Sequence, residues 1–276
     1  MKFDINSALK QYGGFVRYYD STENLRELAE LAAAGDRGDV LACCGGGDQA
    51  LTILGAGHRK GLLWAVDTNA AQLFVLAAKA NFLEQKGIIP AFEQVQKAYP
   101  GRVAPVKMNI RSMRQLPLIH AITGKKSDAP ASIAERYKFV TDDEMLVLRN
   151  SGPYWKNDPV FISQLRVRLA SLRLLHMDIF DGPDRFKPGS LDLIYLSDIY
   201  WPEPLLYYRA KLAMMLALLR PGGRIITCLS PGNDFMGQGV SPGRILSKMA
   251  KKCSLKVYED PKSNGYMVIE RRGAKK

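Results

Sequence analysis

Asp39-Val-Leu-Ala-Cys-Cys-Gly-Gly-Gly-Asp48, followed by Leu62-Leu-Trp-Ala-Val-Asp67, decides the fold of this chain. The first stretch is a short apolar run that ends in three glycines and an aspartate. The second is an apolar run that ends in a carboxylate about twenty residues after the glycines, a spacing typical of the first two strands of a Rossmann-type sheet. An acid at the tip of the second strand can accept hydrogen bonds from both ribose hydroxyls. Together, the two stretches predict an adenosine-containing cofactor.

The rest of the chain alternates between apolar strands and helical patterns, which predicts one α/β domain over residues 1–276. Residues 1–36 indicate an amphipathic helical lead-in, with a helix start at 21–24. Residues 85–170 indicate a long insertion, mainly helical, in which seven prolines break the alternation. The predicted strands are 39–44, 62–66, 172–177, 191–196, 224–229, 255–258 and 266–270. The predicted helices are 48–54, 69–84, 204–219, closed by Pro221-Gly222-Gly223, and 241–252.

The net charge of +12 indicates attraction to an anionic partner, such as nucleic acid, a phospholipid surface or an acidic metabolite. A basic surface without any partner is the alternative. Between Lys97 and Arg173 the chain has fourteen Lys and Arg against six Asp and Glu, so most of the excess charge falls in the insertion.

The cysteines and histidines favour a reduced protein without a metal site. Cys43 and Cys44 are adjacent, and neither the four cysteines nor the three histidines have the spacing of zinc ligands. His176, on a predicted strand, is expected in the core. The chain begins without the apolar core of a signal peptide, and it contains no run of about eighteen apolar residues, so a cytoplasmic protein is expected.

The first loop, Gly45, Gly46, Gly47 and Asp48, is the candidate cradle for the amino-acid part and sugar of the cofactor. A tight strand–helix turn without a ligand is the alternative, although one glycine would suffice for such a turn. The loop has no lysine followed by Ser or Thr, so it is not a P-loop. No third glycine follows in the helix, which disfavours NAD or FAD.

Two further strand ends carry acids that could contact the same ligand. Asp67, followed by Thr68, is the candidate ribose site; alternatively, Asp67 caps the next helix. Asp178 could meet an adenine amino group while the backbone of Ile179 contacts the ring; alternatively, Asp178 is a solvated carboxylate in a turn. Binding crevices of parallel sheets lie at the carboxyl ends of strands, which favours the functional interpretation of both acids.

The reacting end of the cofactor is expected near the exit of the strand 191–196. Ser197 is a candidate cofactor contact, and Asp198 and Tyr200 are candidates to position a nucleophile. Tyr19, in the lead-in, could fold over the amino acid of the cofactor. Both tyrosines could instead serve only in packing.

The order of these features over residues 36–271 resembles the class I S-adenosylmethionine-dependent transferases. That resemblance implies a Rossmann-like sheet with helices on both faces, a closing β-hairpin and a long helical insertion. Within this superfamily, the chain is similar to the betaine-lipid-synthesis S-adenosylmethionine:diacylglycerol 3-amino-3-carboxypropyltransferases. The matching parts are Phe15-Val-Arg-Tyr-Tyr-Asp20, Val66-Asp67-Thr-Asn-Ala-Ala-Gln-Leu73, the insertion and Leu196-Ser-Asp198.

The resemblance implies S-adenosylmethionine as cofactor and transfer of its 3-amino-3-carboxypropyl group to the hydroxyl or amine of a lipid or small molecule. Residues 45–48 would hold the methionine side, Asp67 the ribose and Asp178 the adenine. Asp198, with Tyr19 or Tyr200, would orient the nucleophile. The basic insertion could then rest peripherally on anionic lipid headgroups. Two alternatives stay open: a methyltransferase acting on a small molecule or RNA, and a non-catalytic module that binds the cofactor or nucleic acid.

Overall fold

The computed structural model describes residues 4–16, 19, 21, 24–34, 38–56, 60–105, 153–197, 205–228, 255–259 and 266–271. The strands are β1 (Gly14–Val16), β2 (Asp39–Cys43), β3 (Leu63–Asp67), β4 (Val103–Pro105), β5 (Leu172–His176), β6 (Leu191–Tyr195), β7 (Leu219–Cys228), β8 (Leu255–Glu259) and β9 (Tyr266–Arg271). The helices are α1 (Ile5–Gln11), α2 (Leu25–Ala33), α3 (Asp48–Ala56), α4 (Ala70–Lys86), α5 (Phe92–Ala98), α6 (Pro159–Arg168), α7 (Gly182–Arg185) and α8 (Leu205–Leu218).

The main sheet has the strand order β5-β3-β2-β6-β7-β9-β8. Strands β5, β3, β2, β6 and β7 pair in parallel, whereas β9 runs antiparallel to both β7 and β8. In the centre, Ala42 of β2 pairs with Ala65 of β3 on one side and Tyr195 of β6 on the other. This order confirms the expected Rossmann-like sheet with a closing hairpin.

Helices cover both faces of the sheet, which explains why its strands read as continuous apolar runs. Along β2, Val40 and Ala42 face one core cluster, together with Leu73 and Ala77 of α4. Leu41 faces the opposite cluster, which also contains Met215 of α8. Because successive side chains of a strand point to opposite faces, β2 is buried on both sides.

Polar caps fix the start of two helices. The side-chain oxygen of Asn24 accepts a hydrogen bond from the backbone N–H of Glu27, which places the start of α2 in the predicted 21–24 segment. Asn69 caps α4 through the N–H of Ala71, at 3.0 Å, and Gly87 ends that helix with a left-handed φ of 66°. Helix α4 therefore begins directly after β3 and runs back along the sheet.

The lead-in differs from the continuous helical pattern that the sequence predicts. Its described part contains α1 and α2, but β1 lies between them and pairs in parallel with β4, with Gly14 opposite Val103. Arg102 fixes this arrangement, because its guanidinium donates to the carbonyl oxygens of Leu9 and Lys10 at the end of α1. The amphipathic helical prediction for residues 1–36 is therefore wrong over β1.

Three other segments differ from expectation or lie outside the described residues. Pro221-Gly222-Gly223 lies within β7, where the register with β6 shifts, rather than ending a helix before the strand. In the insertion, the described segments 85–105 and 153–170 contain the end of α4, α5, β4 and all of α6. The central part of the insertion and the predicted helix 241–252 lie outside the described residues. Among the described helices, none is long and apolar enough to cross a membrane.

Candidate functional site

The strand order creates a crevice at the carboxyl edge of the sheet, next to β2. From β2 the chain moves to β3 and β5 on one side, and it then returns to β6 on the other side. In parallel sheets, such a reversal opens a crevice outside the strand ends, where ligands bind. The 45–47 loop follows β2, Asp67 ends β3, Asp178 follows β5 and Ser197 follows β6. The structure therefore brings the predicted acids and glycines to one edge.

The glycine loop turns sharply between β2 and α3. Gly45 and Gly47 have φ values of 50° and 87°, the left-handed region that favours glycine. A Cβ on Gly47 would lie 3.1 Å from the Cα of Leu76, so the loop packs directly on α4. Gly47 is therefore fixed by both its backbone conformation and the neighbouring helix.

Asp67 joins the tip of β3 to this loop. Its Oδ2 accepts a hydrogen bond from the Gly45 N–H at 3.2 Å, and its Oδ1 accepts one from the Asn69 N–H at 2.8 Å. Because Asn69 caps α4, the alternative in which Asp67 caps that helix is wrong. A carboxylate offers about four acceptor sites, so one carboxylate can accept from several donors at once.

A buried lysine binds the loop through hydrogen bonds from its ammonium group. Lys79 of α4 is fully buried, and its ammonium donates to the Gly46 carbonyl at 2.9 Å and to Asp48 Oδ1 at 2.8 Å. It also donates to the Tyr19 carbonyl. Asp48, only 1% exposed, accepts a further bond from the Ser21 N–H at 3.0 Å. Both oxygens of Asp48 thus face inward, and its predicted contact with a cofactor stays a prediction.

Tyr19 anchors the lead-in against the same loop. Its ring lies over the Lys79 ammonium, 4.3 Å from ring centroid to nitrogen, and packs edge-on against Phe92. Its hydroxyl donates to the Pro90 carbonyl at 2.6 Å, and the side chain is 2% exposed. The observed contacts of Tyr19 are therefore internal, and its predicted part in catalysis stays a prediction.

The ends of β3 and β5 are tied together near Asp178. The His176 ring contacts the Thr68 carbonyl at 2.9 Å, and the Met177 N–H donates to the Asp67 carbonyl at 3.2 Å. His176 is exposed, so the prediction of a core histidine is wrong. Asp178 Oδ1 accepts from the Phe180 N–H at 3.0 Å, which begins a short 3-10 turn containing Ile179.

Ser197 stands at the tip of β6 with an unusual backbone. Its φ of 56° is left-handed, a conformation that costs a non-glycine residue about 1–3 kcal/mol. The neighbouring strand holds it there, because the Thr227 hydroxyl donates to the Ser197 carbonyl at 2.9 Å. The strained residue lies at the reversal point of the strand order. Asp198 and Tyr200, the other candidates of this segment, lie outside the described residues.

Several solved proteins are similar to this chain at low sequence identity. No protein-family model and no curated protein matches the chain. A methyltransferase from Geobacter sulfurreducens aligns with a TM-score of 0.42 and 8% identity, covering 92% of this chain and 80% of that one. An rRNA methylase from Streptococcus thermophilus aligns at 0.43 and 9%, covering 92% and 99%. The magnesium protoporphyrin IX methyltransferase of Synechocystis, solved with bound S-adenosylmethionine, aligns at 0.42 and 9%, covering 90% and 77%. Likeness at this level assigns no activity to this chain.

Sequence reasoning missed three polar side chains that lie around the loop. They are Lys79, Gln72 and Gln49. The Gln72 amide donates to the Gly45 carbonyl at 2.6 Å. Gln49 is 6% exposed, and no described residue hydrogen-bonds to its Oε1. The one available signal was Lys79 itself, a charged residue inside the apolar run of α4, because lysine is almost never fully buried without a partner.

Proposed function

We propose that the chain binds S-adenosylmethionine at the carboxyl edge of the sheet and is a transferase that uses it. The observation that supports this most is the position of Asp67. Its carboxylate lies at the tip of β3, bonded to the glycine loop of β2 and beside the reversal point of the strands. A carboxylate there can accept hydrogen bonds from both hydroxyls of a ribose, as nucleotide sites of this sheet type require.

In this proposal the chain's own residues position the ligand. The 45–47 loop lies along the amino-acid side, Asp67 accepts from the ribose hydroxyls, and Asp178 accepts from the adenine amino group next to Ile179. The bound cofactor supplies a sulfonium, an already activated leaving group. What the protein adds is orientation of a nucleophile in line with the carbon to be moved, the task we propose for Asp198 and Tyr200 near Ser197.

Two groups of the sulfonium could be transferred. We place methyl transfer first, because the three solved proteins named above are methyltransferases or methylases. Transfer of the 3-amino-3-carboxypropyl group is the second candidate, supported by the sequence resemblance of 15–20 and 66–73 to the betaine-lipid-synthesis family. The nucleoside by-product separates the two. Methyl transfer releases S-adenosylhomocysteine, and aminocarboxypropyl transfer releases methylthioadenosine.

The acceptor stays a proposal drawn from the sequence. A small molecule, a lipid or an RNA would each suit a chain of net charge +12. Incubating the protein with S-adenosylmethionine and separate small-molecule, lipid and RNA fractions, followed by mass analysis of the by-product, identifies both the group and the acceptor class. Cofactor binding without any by-product in all three fractions would instead favour the non-catalytic module.

The cofactor proposal is tested by replacing Asp67. We expect Asp67→Ala to weaken S-adenosylmethionine binding about 10- to 100-fold, since each hydrogen bond to a charged group contributes about 1.5–3 kcal/mol. Isothermal titration calorimetry measures this change.

Asp39→Ala is the matched control. Asp39 Oδ1 also accepts from a backbone N–H, that of Leu62 at 2.8 Å, but it lies at the amino end of β2, on the opposite edge of the sheet. Its affinity for S-adenosylmethionine should match the wild type. Absence of heat with the wild-type protein, or equal losses in the two variants, would refute the proposed site.

A further inference from the structure

Gln49 lies over the first glycine of the loop. It is the second residue of α3, and only 6% of its surface is exposed to solvent. A methyl group placed on Gly45 would lie 3.5 Å from both Oε1 and Nε2 of Gln49. The amide group therefore stands directly beside the glycine at the tip of β2.

The amide oxygen of Gln49 is unpaired within the described part of the chain. Oε1 is buried and accepts no hydrogen bond from any described residue. A buried acceptor without a donor is unfavourable, and most buried side-chain polar atoms are paired for that reason. Gln49 Oε1, beside the glycine loop at the carboxyl end of β2, is therefore a candidate acceptor for a donor group on a ligand.

Gln72 is a second glutamine beside the loop, and its amide is hydrogen-bonded to the loop backbone. This side chain is 1% exposed, and its Nε2 donates to the Gly45 carbonyl at 2.6 Å. Gln72 and Gln49 thus both lie near Gly45. One is paired with the loop backbone, and the other carries an open acceptor.

The surroundings define the chemistry of the missing donor. Asp48, the neighbouring carboxylate, is turned inward to Lys79 and Ser21, so it does not offer its oxygens at this point. The first turn of α3 follows Gly47, which has no side chain to cap it, and first-turn N–H groups favour a carboxylate. A donor for Gln49 next to a carboxylate at the helix start corresponds to the two ends of an α-amino acid.

We propose that Gln49 Oε1 accepts a hydrogen bond from the α-ammonium group of S-adenosylmethionine and thereby selects nucleosides that carry an amino-acid end. This inference rests on the proposed function, and it adds a specificity-determining residue to the site. It requires no contact of Asp48 with the ligand.

The test replaces Gln49 with Met, which has a similar length and volume but no amide acceptor. We expect Gln49→Met to bind S-adenosylmethionine about 10- to 100-fold more weakly, the range for losing a hydrogen bond to a charged group. Methylthioadenosine lacks the amino-acid end, so its affinity should stay within about twofold of the wild type. Calorimetry with both nucleosides gives the two ratios.

Unfolding of the ligand-free protein provides a second measurement. Removing an unpaired buried oxygen should raise the urea midpoint in Gln49→Met, or leave it unchanged. The matched variant Gln72→Met removes a donor from the Gly45 carbonyl, so its midpoint should fall. If Gln49 were held by a partner within the protein, both midpoints would fall.

The outcomes separate this inference from the proposed function. A wild-type protein that binds S-adenosylmethionine, with a Gln49→Met variant that binds it equally well, overturns the role of Gln49 and leaves the function intact. Equal weakening toward both nucleosides, or a lower urea midpoint for Gln49→Met, also overturns it. A wild-type protein that binds neither nucleoside removes the proposed function and, with it, this inference.

Discussion

Cys44, directly before the glycine loop, illustrates how burial at a single residue sets chemistry. The side chain is fully buried, and its thiol lies 3.5 Å from the Gln72 carbonyl. Burial, and then the negative charge of Asp67, raise the pKa of the Cys44 thiol well above its usual range. The folded protein therefore holds this proton at pH values where an unfolded chain releases it.

The raised pKa of Cys44 makes the folded protein less stable at alkaline pH. Below about pH 8.5, the ordinary pKa of a thiol, both states hold the proton and stability does not change through this group. Above it, the unfolded state binds fewer protons, so stability should fall by up to about 1.4 kcal/mol per pH unit. Urea midpoints between pH 7 and 10 measure the effect, and Cys44→Ala should show a shallower fall than the wild type. Parallel curves would contradict the prediction.

At the residue scale, the sequence predicted which residues lie at the strand ends but not the directions in which their side chains point. The spacing of apolar runs places Asp67, Asp178 and Ser197 at strand ends, because the end of each apolar run marks the end of a strand. The same spacing placed Asp48 beside them, yet both of its oxygens point inward to Lys79 and Ser21. That direction depends on a lysine 31 positions away, which only the packing of α4 brings close.

Helix α4 connects the glycine loop to the lead-in through one ammonium group. Lys79→Met would leave the Asp48 carboxylate buried at 1% exposure without its cation. Breaking a buried ion pair in this way costs about 3–5 kcal/mol, and we expect a loss of that size in the free energy of unfolding. Urea denaturation measures it.

Two further variants isolate the contribution of the pair. Lys86→Met removes a lysine in the last turn of the same helix, near the ring of Phe82, and should change stability by about 0.5 kcal/mol or less. Asp48→Asn combined with Lys79→Met should recover part of the loss, because no unpaired charge remains. A cost for Lys79→Met no larger than that for Lys86→Met would contradict the internal pairing.

At the element scale, strands with a clear apolar run were predictable and the shortest strands were not. Strands β2, β3, β5 and β6 lie within one residue of their predicted ends, since each is a mainly apolar run that stops at a glycine or a polar residue. Strands β1 and β4 have three residues each, too few for a period to be visible. Pro221-Gly222-Gly223 predicted a turn at the end of a helix. In the structure these residues lie in β7, where its register with β6 shifts.

Across the whole molecule, the strand order predicts a gradient of stability. Strands β2 and β6 lie inside the sheet, with paired strands on both sides, whereas β8 is the last strand in the order. We expect the backbone amides of β2 and β6 to exchange with solvent slowest and those of β8 to exchange much faster. Hydrogen-exchange mass spectrometry measures this, and equal protection of β8 and β2 would contradict it.

The overall architecture was the most predictable feature, because strands and helices alternate on both sides of the insertion and leave few topologies open. The chemistry of the acceptor was the least predictable. We propose that the acceptor contacts residues around Asp198 and the basic insertion, where the sequence shows charge but no pattern that identifies a partner.

The pairing of β1 with β4 has a consequence for how the chain is made. Gly14 leaves the ribosome about ninety residues before Val103, its partner in the register. At translation rates of about 5–20 residues per second, β1 waits roughly 5 to 20 seconds for its neighbour. During that interval the backbone groups of β1 lack their partner strand, and an unpaired strand edge can pair with another chain.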